Sequence, residues 1–441
     1  MSRSLTARAL TFGALALTAS LASAQTTPAP VVRLTFSEAI RRAQEKNPTV
    51  TAAATGILRA DALIRQVRAA TLVQLTGNVT TTTLNRGVEF SGATVTPQNQ
   101  VTASLTADMP ILAAPAWARR VQAQDTRDVA DLSLAETKRQ IAFATADAYL
   151  AVLAQKRVIE SIARAHDVAK AHFDLATELE QKGSGSRLNA LRAQQQVSVN
   201  AGLVETASLS LYRAQEALGV LVVADGPADA AEEPDLRVPP EIVADLQRFS
   251  GAAADTPGGL PLDTWRPDLR LFAAEERAAE RIVRDTSKEW WPRLDAIFQP
   301  SSVYPSQFFL PQNSWRFLLQ ASIPIVDSGQ RTGLRMQRQA DVDQAQATLA
   351  GARTTASSEV RAAREAVASL ARTLASAQAA ADQARQVVNI TNISFRAGAA
   401  TNIEVIDAER SARDTYTAVA VVEDQLRRAR LELLNALGRF P

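Results

Sequence analysis

Few side chains in this sequence have the types and spacing that chemistry needs. The two histidines, His166 and His172, are six residues apart, a spacing that does not put both on one helix face for shared metal binding. The chain has no cysteine, which excludes a thiol nucleophile and thiolate metal sites. The stretch "GSGSR" from Gly183 lacks the preceding strand and the third glycine of a dinucleotide site. We therefore expect no enzymatic activity and no cofactor.

One pair of carboxylates has a spacing that suits a shared task. In "TNIEVIDAE", from Thr401 to Glu409, the acids Glu404 and Asp407 are three residues apart and share one face of a helix. Thr401 followed by Glu404 also fits a capping box after Gly398, in which the carboxylate completes the first turn of its own helix. The pattern leaves both roles open for Glu404.

The N-terminus has the pattern of an export signal. Arg3 and Arg8 precede an apolar stretch from Ala9 to Leu21, and Ala-Ser-Ala at 22–24 fits a cleavage site. These features predict a secretory signal peptide over residues 1–24.

The remaining chain is formally neutral and lacks an apolar run of membrane-helix length. Removing the two arginines of the signal lowers Lys+Arg from 48 to 46, which equals the 46 Asp+Glu. This balance gives no support for nucleic acid as a partner. No later stretch approaches roughly 18 consecutive apolar residues, so any entry into a membrane is not expected to use helices.

The sequence repeats itself over about half its length. Four pairs of landmarks recur in the same order, at separations of 214 to 219 residues: Pro110 and Pro324, Pro48 and Pro267, Gly183 and Gly398, and Gly219 and Gly438. They predict a tandem duplication. The expected units are residues 25–224 and 265–441, joined by a proline-rich connector over 225–264 with little regular structure.

Each repeat predicts a medium helix, two strands, a very long helix, a tight turn and a second long helix. Stretches such as "VTASLTADM" alternate polar and apolar residues, as half-apolar strands require. Apolar residues after Val360 follow a three-four spacing typical of coiled coils. The expected strands span about 72–84, 100–111, 292–303 and 314–325, and the expected long helices span about 113–182, 187–222, 328–397 and 401–437.

Four strands are too few to close a barrel around a lumen, since about eight is the smallest workable number. Two copies would supply eight strands with a filled interior, and three copies would supply twelve, enough for an open channel. The pattern therefore favours a homo-oligomer, and a homotrimer is the economical pore.

These features together resemble the TolC-like outer membrane efflux proteins. The resemblance rests on Pro110-Ile111, on Pro324-Ile325 leading into "VDSGQR", and on "FRAGAATNIEVIDAERS". It implies a mainly α fold with a small β part: a trimeric twelve-stranded outer-membrane β-barrel, continued by a periplasmic α-helical coiled-coil barrel. In one departure, the first repeat lacks the proline that many members have before the first strand. The start of that strand is therefore left open.

The resemblance also assigns the strand-to-helix junctions. Pro110 and Pro324 mark the points where strands leave the membrane. Trp117, Trp290 and Trp291 fall near these points, as expected for an aromatic belt in contact with outer-membrane lipid. The alternative is that the tryptophans cover a hydrophobic core.

The resemblance implies a passive exit duct in a tripartite efflux or type I secretion system. Its partners would be a periplasmic adaptor (membrane fusion) protein and an inner-membrane transporter. Glu404 and Asp407 match the family's periplasmic gate, where a threefold ring would gather six carboxylates and favour cations. In the first repeat Arg192 stands at the position of Asp407; it would either pair with an acid of the second repeat and hold the mouth shut, or stay solvated as surface arginines usually are. The expected adaptor-docking residues are the two helix tips: Gly183, Ser184, Gly185, Ser186, Gly398, Ala399, Ala400 and Thr401.

The rival interpretation is a structural coiled-coil spacer of the cell envelope without conductance. It accounts for the heptads and the signal, but not for the duplicated strands with apolar faces. Migration on an SDS gel with and without boiling separates the two. A closed β-barrel resists the detergent, so we expect an unheated sample to run at a different position from a boiled one. Identical migration would favour the spacer.

Overall fold

The computed structural model describes residues 31–236, 239–242, 261–307, 309 and 311–440. The expected signal peptide and part of the expected connector lie outside these residues. The described chain is mostly helical with a small sheet part. No helix among the described residues is long and apolar enough to cross a membrane.

Both halves of the chain present the same order of major elements, a helix, two long strands and two long helices. The first half contains β1 (Val32–Leu34), α1 (Phe36–Lys46), α2 (Pro48–Ala69), β2 (Gln74–Thr83), β3 (Val88–Phe90), β4 (Ala93–Thr96), β5 (Asn99–Leu112), α3 (Ala114–Gln181), α4 (Arg187–Val222) and β6 (Ala228–Ala230). The second half contains α5 (Leu262–Trp265), α6 (Pro267–Asp285), a 3-10 turn (Thr286–Trp290), β7 (Arg293–Tyr304), β8 (Asn313–Ser322), α7 (Gln330–Arg396) and α8 (Asn402–Ala436).

The four long strands form one antiparallel sheet in the order β2-β5-β7-β8. In this register Gln74 on β2 faces Asp108 on β5, and Arg293 on β7 faces Ser322 on β8. The outer edges of β2 and β8 have no neighbouring strand among the described residues. Large apolar side chains are exposed along the sheet: Leu75, Val79, Leu105, Met109, Trp315, Phe317 and Leu319. A water-soluble monomer would not leave such a surface open.

The two junction prolines occupy different positions relative to their strands. β5 continues through Pro110 to Leu112, with an irregular register between these two residues. Pairing with β2 has already ended at Asp108, so a residue without an N–H group is tolerated there. β8 instead ends at Ser322, before Pro324 and three residues earlier than expected.

The start of the first strand, which the sequence left open, lies at Gln74 after a turn that follows α2. The N–H groups of Thr71 and Leu72 bond back to the carbonyls of Arg68 and Ala69 and so close that turn. A short turn therefore takes the place of the proline that ends the corresponding segment of the second half.

The connector carries structure that its composition did not predict. Ala228–Ala230 forms a buried parallel strand with Val32–Leu34. The Tyr149 hydroxyl lies 2.8 Å from the Glu232 carbonyl oxygen and accepts a hydrogen bond from the Glu232 N–H at 3.2 Å. Strands of three residues are too short to show a period of two, which explains why the sequence pattern missed them.

The core lies at mid-length on α3 and α7, where the C-terminal ends of α4 and α8 pack against them. One cluster joins Tyr149 and Val152 of α3 to Leu218 of α4, and another joins Val360 of α7 to Leu433 of α8. The 68-residue α3 is on the order of 100 Å long, so it extends far beyond this core at both ends. Contacts between the long helices place them in the order α4-α3-α8-α7, with α4 and α7 outermost.

Two matching caps bind the second long helix of each half to that core. The Asn47 side chain donates to the Leu221 carbonyl of α4 at 3.1 Å. Arg266 donates to the Ala436 carbonyl of α8 at 3.0 Å and pairs with Glu359 of α7 at 2.6 Å. Each cap residue precedes a proline at the start of a helix, so corresponding positions of the two halves do the same structural task.

Close backbone approach at Gly219 gives a stability prediction. The carbonyl oxygen of Gly226 occupies the space that a Cβ at Gly219 would need. We expect Gly219→Ala to destabilise the fold by about 1–3 kcal/mol through overpacking, seen as a lower Tm in detergent by circular dichroism. The matched control is Gly202→Ala on the same helix, where a Cβ meets nothing within 4 Å. That change is expected to stabilise by up to about 1 kcal/mol, and an equal loss in both variants would contradict the packing explanation.

Candidate functional site

The ends of the two helical hairpins have the same geometry. Gly183 after α3 and Gly398 after α7 both have φ of +74°, a left-handed conformation that glycine adopts without strain. Ser186 and Thr401 then cap α4 and α8, accepting hydrogen bonds from the N–H groups of Asn189 and Glu404. The expected tip residues, at 183–186 and 398–401, are exposed or half-exposed.

Glu404 completes a capping box. The Thr401 N–H donates to the Glu404 Oε2 at 2.6 Å, and the Thr401 hydroxyl donates to the same oxygen at 2.9 Å. These two hydrogen bonds lower the pKa of Glu404 below its ordinary value because they favour the carboxylate. The structure therefore shows the capping role of Glu404, while its role at a pore stays a prediction.

Asp407 is the acid without a structural task of its own. It lies one turn beyond Glu404 on α8, is exposed, and forms no hydrogen bond or ion pair with any described residue. It lines a shallow surface groove together with Arg410, Ser411 and Asp414. Its side chain is therefore available to face the corresponding residue of another copy.

Arg192 is exposed on α4 and pairs with no acid in the described part of the chain. The expected bond to an acid of the second repeat is thus absent from the single chain. A guanidinium at the surface is stabilised by water, which leaves little gain from a fixed partner. Pairing across two copies stays a prediction.

Neutral side chains, which sequence reasoning missed, join the hairpins near their tips. Asn402, the first residue of α8, is buried, and its side-chain nitrogen donates to the Asn189 carbonyl of α4 at 3.3 Å. Its Oδ1 lies 2.7 Å from Nε2 of His172 on α3. The His172 ring packs 5.4 Å from that of Phe395 on α7. The sequence excluded His172 from a shared metal site with His166, but no pattern identified Asn402 as its partner.

A cavity of about 550 Å³ lies further along the same hairpins, lined by all four long helices. Arg413 of α8 donates to the buried Asn200 of α4 at 3.1 Å at its wall. Glu409 also lines it, and its Oε2 is buried without a hydrogen-bond partner among the described residues. Burial raises the pKa of Glu409 to about 7 because the charged form loses water.

The three junction tryptophans lie at the other end of the helices, next to the sheet. Trp117 is in the first turns of α3, and Trp290 and Trp291 precede β7. All three are exposed, and the Arg331 guanidinium lies 5.2 Å from the centre of the Trp290 ring. Exposure of about half of each side chain fits a contact outside the chain better than a core position. A membrane belt stays a prediction for them.

The described residues contain no cluster of histidine and carboxylate side chains that could hold a metal ion. The features gathered at the hairpin ends are two exposed turns, an exposed acid, and buried polar contacts between helices. These features suit a mouth or a docking surface.

A comparison with known proteins matches the two halves of the chain separately. The pattern of the family described as "Outer membrane efflux protein" matches residues 39–222 and 264–439. Among curated proteins, the chain is 28% identical over 248 residues to outer membrane protein OprJ of Pseudomonas aeruginosa. That match covers 54% of this chain and 50% of OprJ, so it spans only half of its relative.

Solved structures share the fold over nearly the whole chain. The crystal structure of CusC aligns with a TM-score of 0.78 at 16% identity, covering 91% of this chain and 92% of CusC. The outer membrane protein VceC of Vibrio cholerae aligns with a TM-score of 0.74 at 16% identity, covering 91% of this chain and 96% of VceC.

The family match extends over most of the chain and over both halves. It places the protein in the outer membrane, with its helical part in the periplasm. The chain belongs to the outer membrane efflux protein family.

Proposed function

We propose that three copies of this chain form a passive exit duct, a twelve-stranded barrel in the outer membrane continued by a helical barrel in the periplasm. The observation that carries the proposal is that the sheet and the helical layer both end in unpartnered elements on the same two sides. The sheet ends at β2 and β8, and the helical layer ends at α4 and α7. β5 continues into α3 and β8 into α7, so strand order and helix order run in one direction.

The sheet supports assembly because its edge groups need partners. In lipid, the free N–H and C=O groups of β2 and β8 have no water to bond, so a closed barrel is required. β8 of one copy pairing with β2 of the next supplies that closure. Three copies give twelve strands and room for a lumen, whereas two give about the number that side chains fill.

The helices support the same head-to-tail contact. The outermost helices carry rows of exposed apolar residues that no part of the described chain covers: Leu188, Leu191, Val199 and Leu203 on α4, and Val387, Ile390 and Ile393 on α7. Because α4 and α7 differ, a contact between them is heterologous, and such contacts generate rings when the rotation closes.

The duct is proposed to conduct cargo from an inner-membrane transporter through a periplasmic adaptor. A channel without a nucleotide-binding motif has no energy source of its own, so a pump must drive the transport. The exposed turns at 183–186 and 398–401 are the surfaces that the adaptor would contact. Tripartite efflux and type I secretion both fit this role.

Asp407 is the proposed gate residue at the periplasmic mouth. It is exposed and unpaired in the described chain, and three copies would bring three carboxylates together on one level. Glu404 lies one turn nearer the tip and would contribute a weaker field, since its charge already serves the helix N-terminus. A ring of carboxylates selects for cations. We also propose that Arg192 forms an ion pair with an acid of the second repeat in a neighbouring copy.

Single-channel recording in a planar bilayer tests this proposal. We expect small, cation-selective openings from the wild-type protein, because carboxylates crowd the mouth. Asp407→Asn is expected to raise conductance severalfold and to weaken cation selectivity. Glu404→Gln is expected to change conductance less and to lower Tm by weakening its cap.

The matched control is Glu205→Gln, an exposed acid on α4 that lies nearly 30 Å along the helix from its tip. It should leave both conductance and selectivity unchanged. An equal effect of the Glu205 and Asp407 variants would remove the gate assignment but keep the duct. No conductance from a folded oligomer would contradict the duct itself and favour the spacer.

A further inference from the structure

The hydrogen bonds of Asn402 cross between the two hairpins. Asn402 is buried to 3% exposure, although it lies beside the exposed Thr401 and five residues before Asp407. Through its amide it contacts the α4 backbone at Asn189 and the α3 side chain His172. One neutral residue therefore connects the start of the gate-bearing helix α8 to both helices of the first hairpin.

The bonding pattern fixes the protonation of His172. The Asn402 nitrogen donates to the Asn189 carbonyl, so its Oδ1 is left to accept a hydrogen bond. His172 Nε2, 2.7 Å away, must then carry the hydrogen, which leaves Nδ1 without one. Nδ1 is buried and has no hydrogen-bond partner among the described residues.

The surroundings of His172 disfavour its charged form. The ring contacts the Asn402 amide on α8 and Phe395 on α7, with the Asn189 backbone of α4 behind Asn402; none of these groups carries a charge, and no charged side chain contributes to the shift in the His172 pKa. Burial lowers the pKa of His172 below its ordinary value, and the hydrogen bond to Asn402 opposes that shift only in part. A proton added at Nδ1 would be a buried donor without an acceptor.

We propose that Asn402 and His172 form a latch that holds the gate-bearing end of α8 against the first hairpin, and that the latch releases when His172 gains a proton. This inference rests on the proposed function, since the latch controls the mouth of the duct. It adds two positioning residues and a pH response to a gate whose acids are Asp407 and Glu404.

The direction of the pH response follows from the proton count. With the latch engaged, His172 is neutral and binds fewer protons than it does when separated and exposed to water. The engaged form is therefore favoured at pH values above the ordinary histidine pKa of about 6.5, and its stability decreases as the pH falls below that value. Mild acid is expected to open the mouth.

A second contact between the same helices does not titrate in this range. Arg413 of α8 bonds Asn200 of α4 at 3.1 Å, and this pair has the same separation of 213 residues as Asn402 and Asn189. The guanidinium stays charged at all accessible pH values. This pair therefore provides a comparison contact of similar geometry without a proton switch.

The test is open probability in planar bilayers between pH 7.5 and 5.5. In the wild-type protein, open probability is expected to rise roughly tenfold on acidification, a typical size for coupling between sites. His172→Gln keeps an amide that can donate to Asn402 but cannot gain a proton, so its open probability should stay low at both pH values. Asn402→Ala should be open at pH 7.5 and insensitive to pH.

Two controls separate the latch from other titrating groups. Glu409→Gln removes an acid on the same helix whose pKa burial raises to about 7, and this variant should keep the wild-type response around pH 6. Asn200→Ala loosens the comparison contact and should raise open probability equally at both pH values. The latch would be overturned if His172→Gln kept the wild-type pH response. It would also be overturned if Asn402→Ala had the wild-type open probability at pH 7.5.

Hydrogen–deuterium exchange tests the latch independently of channel conductance. The first turns of α8 in Asn402→Ala should exchange roughly tenfold faster than in the wild-type protein at one fixed pH, with the rest of the helix unchanged. Heat-modifiable migration on a gel verifies that each variant is folded. Absent conductance with faster exchange would reject the proposed function but support the latch, and unchanged exchange would reject the latch itself.

Discussion

The unpaired edges of the four-stranded sheet are the constraint on which the rest of the structure depends. β2 and β8 present backbone groups that no described strand of the chain pairs with and that lipid cannot satisfy, so in a membrane these edges need strands of another copy. The arrangement of the long helices also indicates contact with another copy. They continue from the strands in matching order, and their outermost members expose apolar rows at the same two sides.

The charged and the neutral parts of the hairpin ends have separate tasks. The acids Glu404 and Asp407 on α8 are exposed in the single chain, while Asn402 and His172 connect the hairpins through buried neutral groups. A proton on His172 would place a charge in a buried site, and the hydrogen bond to Asn402 offsets the cost of that burial only in part. The core near Tyr149 holds α3 at mid-length and α4 at its C-terminal end, well away from the hairpin tips.

Long periodic elements could be predicted from the sequence, and short or buried polar features could not. The paired landmarks located the four long helices within a few residues, because heptads and capping glycines are strong local signals. The strand Ala228–Ala230 is too short to show a period, and Asn402 looks like an ordinary first residue of a helix. Arg192 was given a partner by analogy, and within the single chain its side chain is exposed to solvent.

Ring closure is the central claim, and chemical cross-linking tests it most directly because the chain has no native cysteine. Leu191→Cys on α4 and Ile393→Cys on α7 lie at similar heights near the tips and are both exposed in the single chain. With a short bismaleimide, the double variant is predicted to give a ladder that ends at three chains, and neither single variant should give one. Cross-linked dimers from a single variant, or a ladder that continues past three, would contradict the head-to-tail trimer.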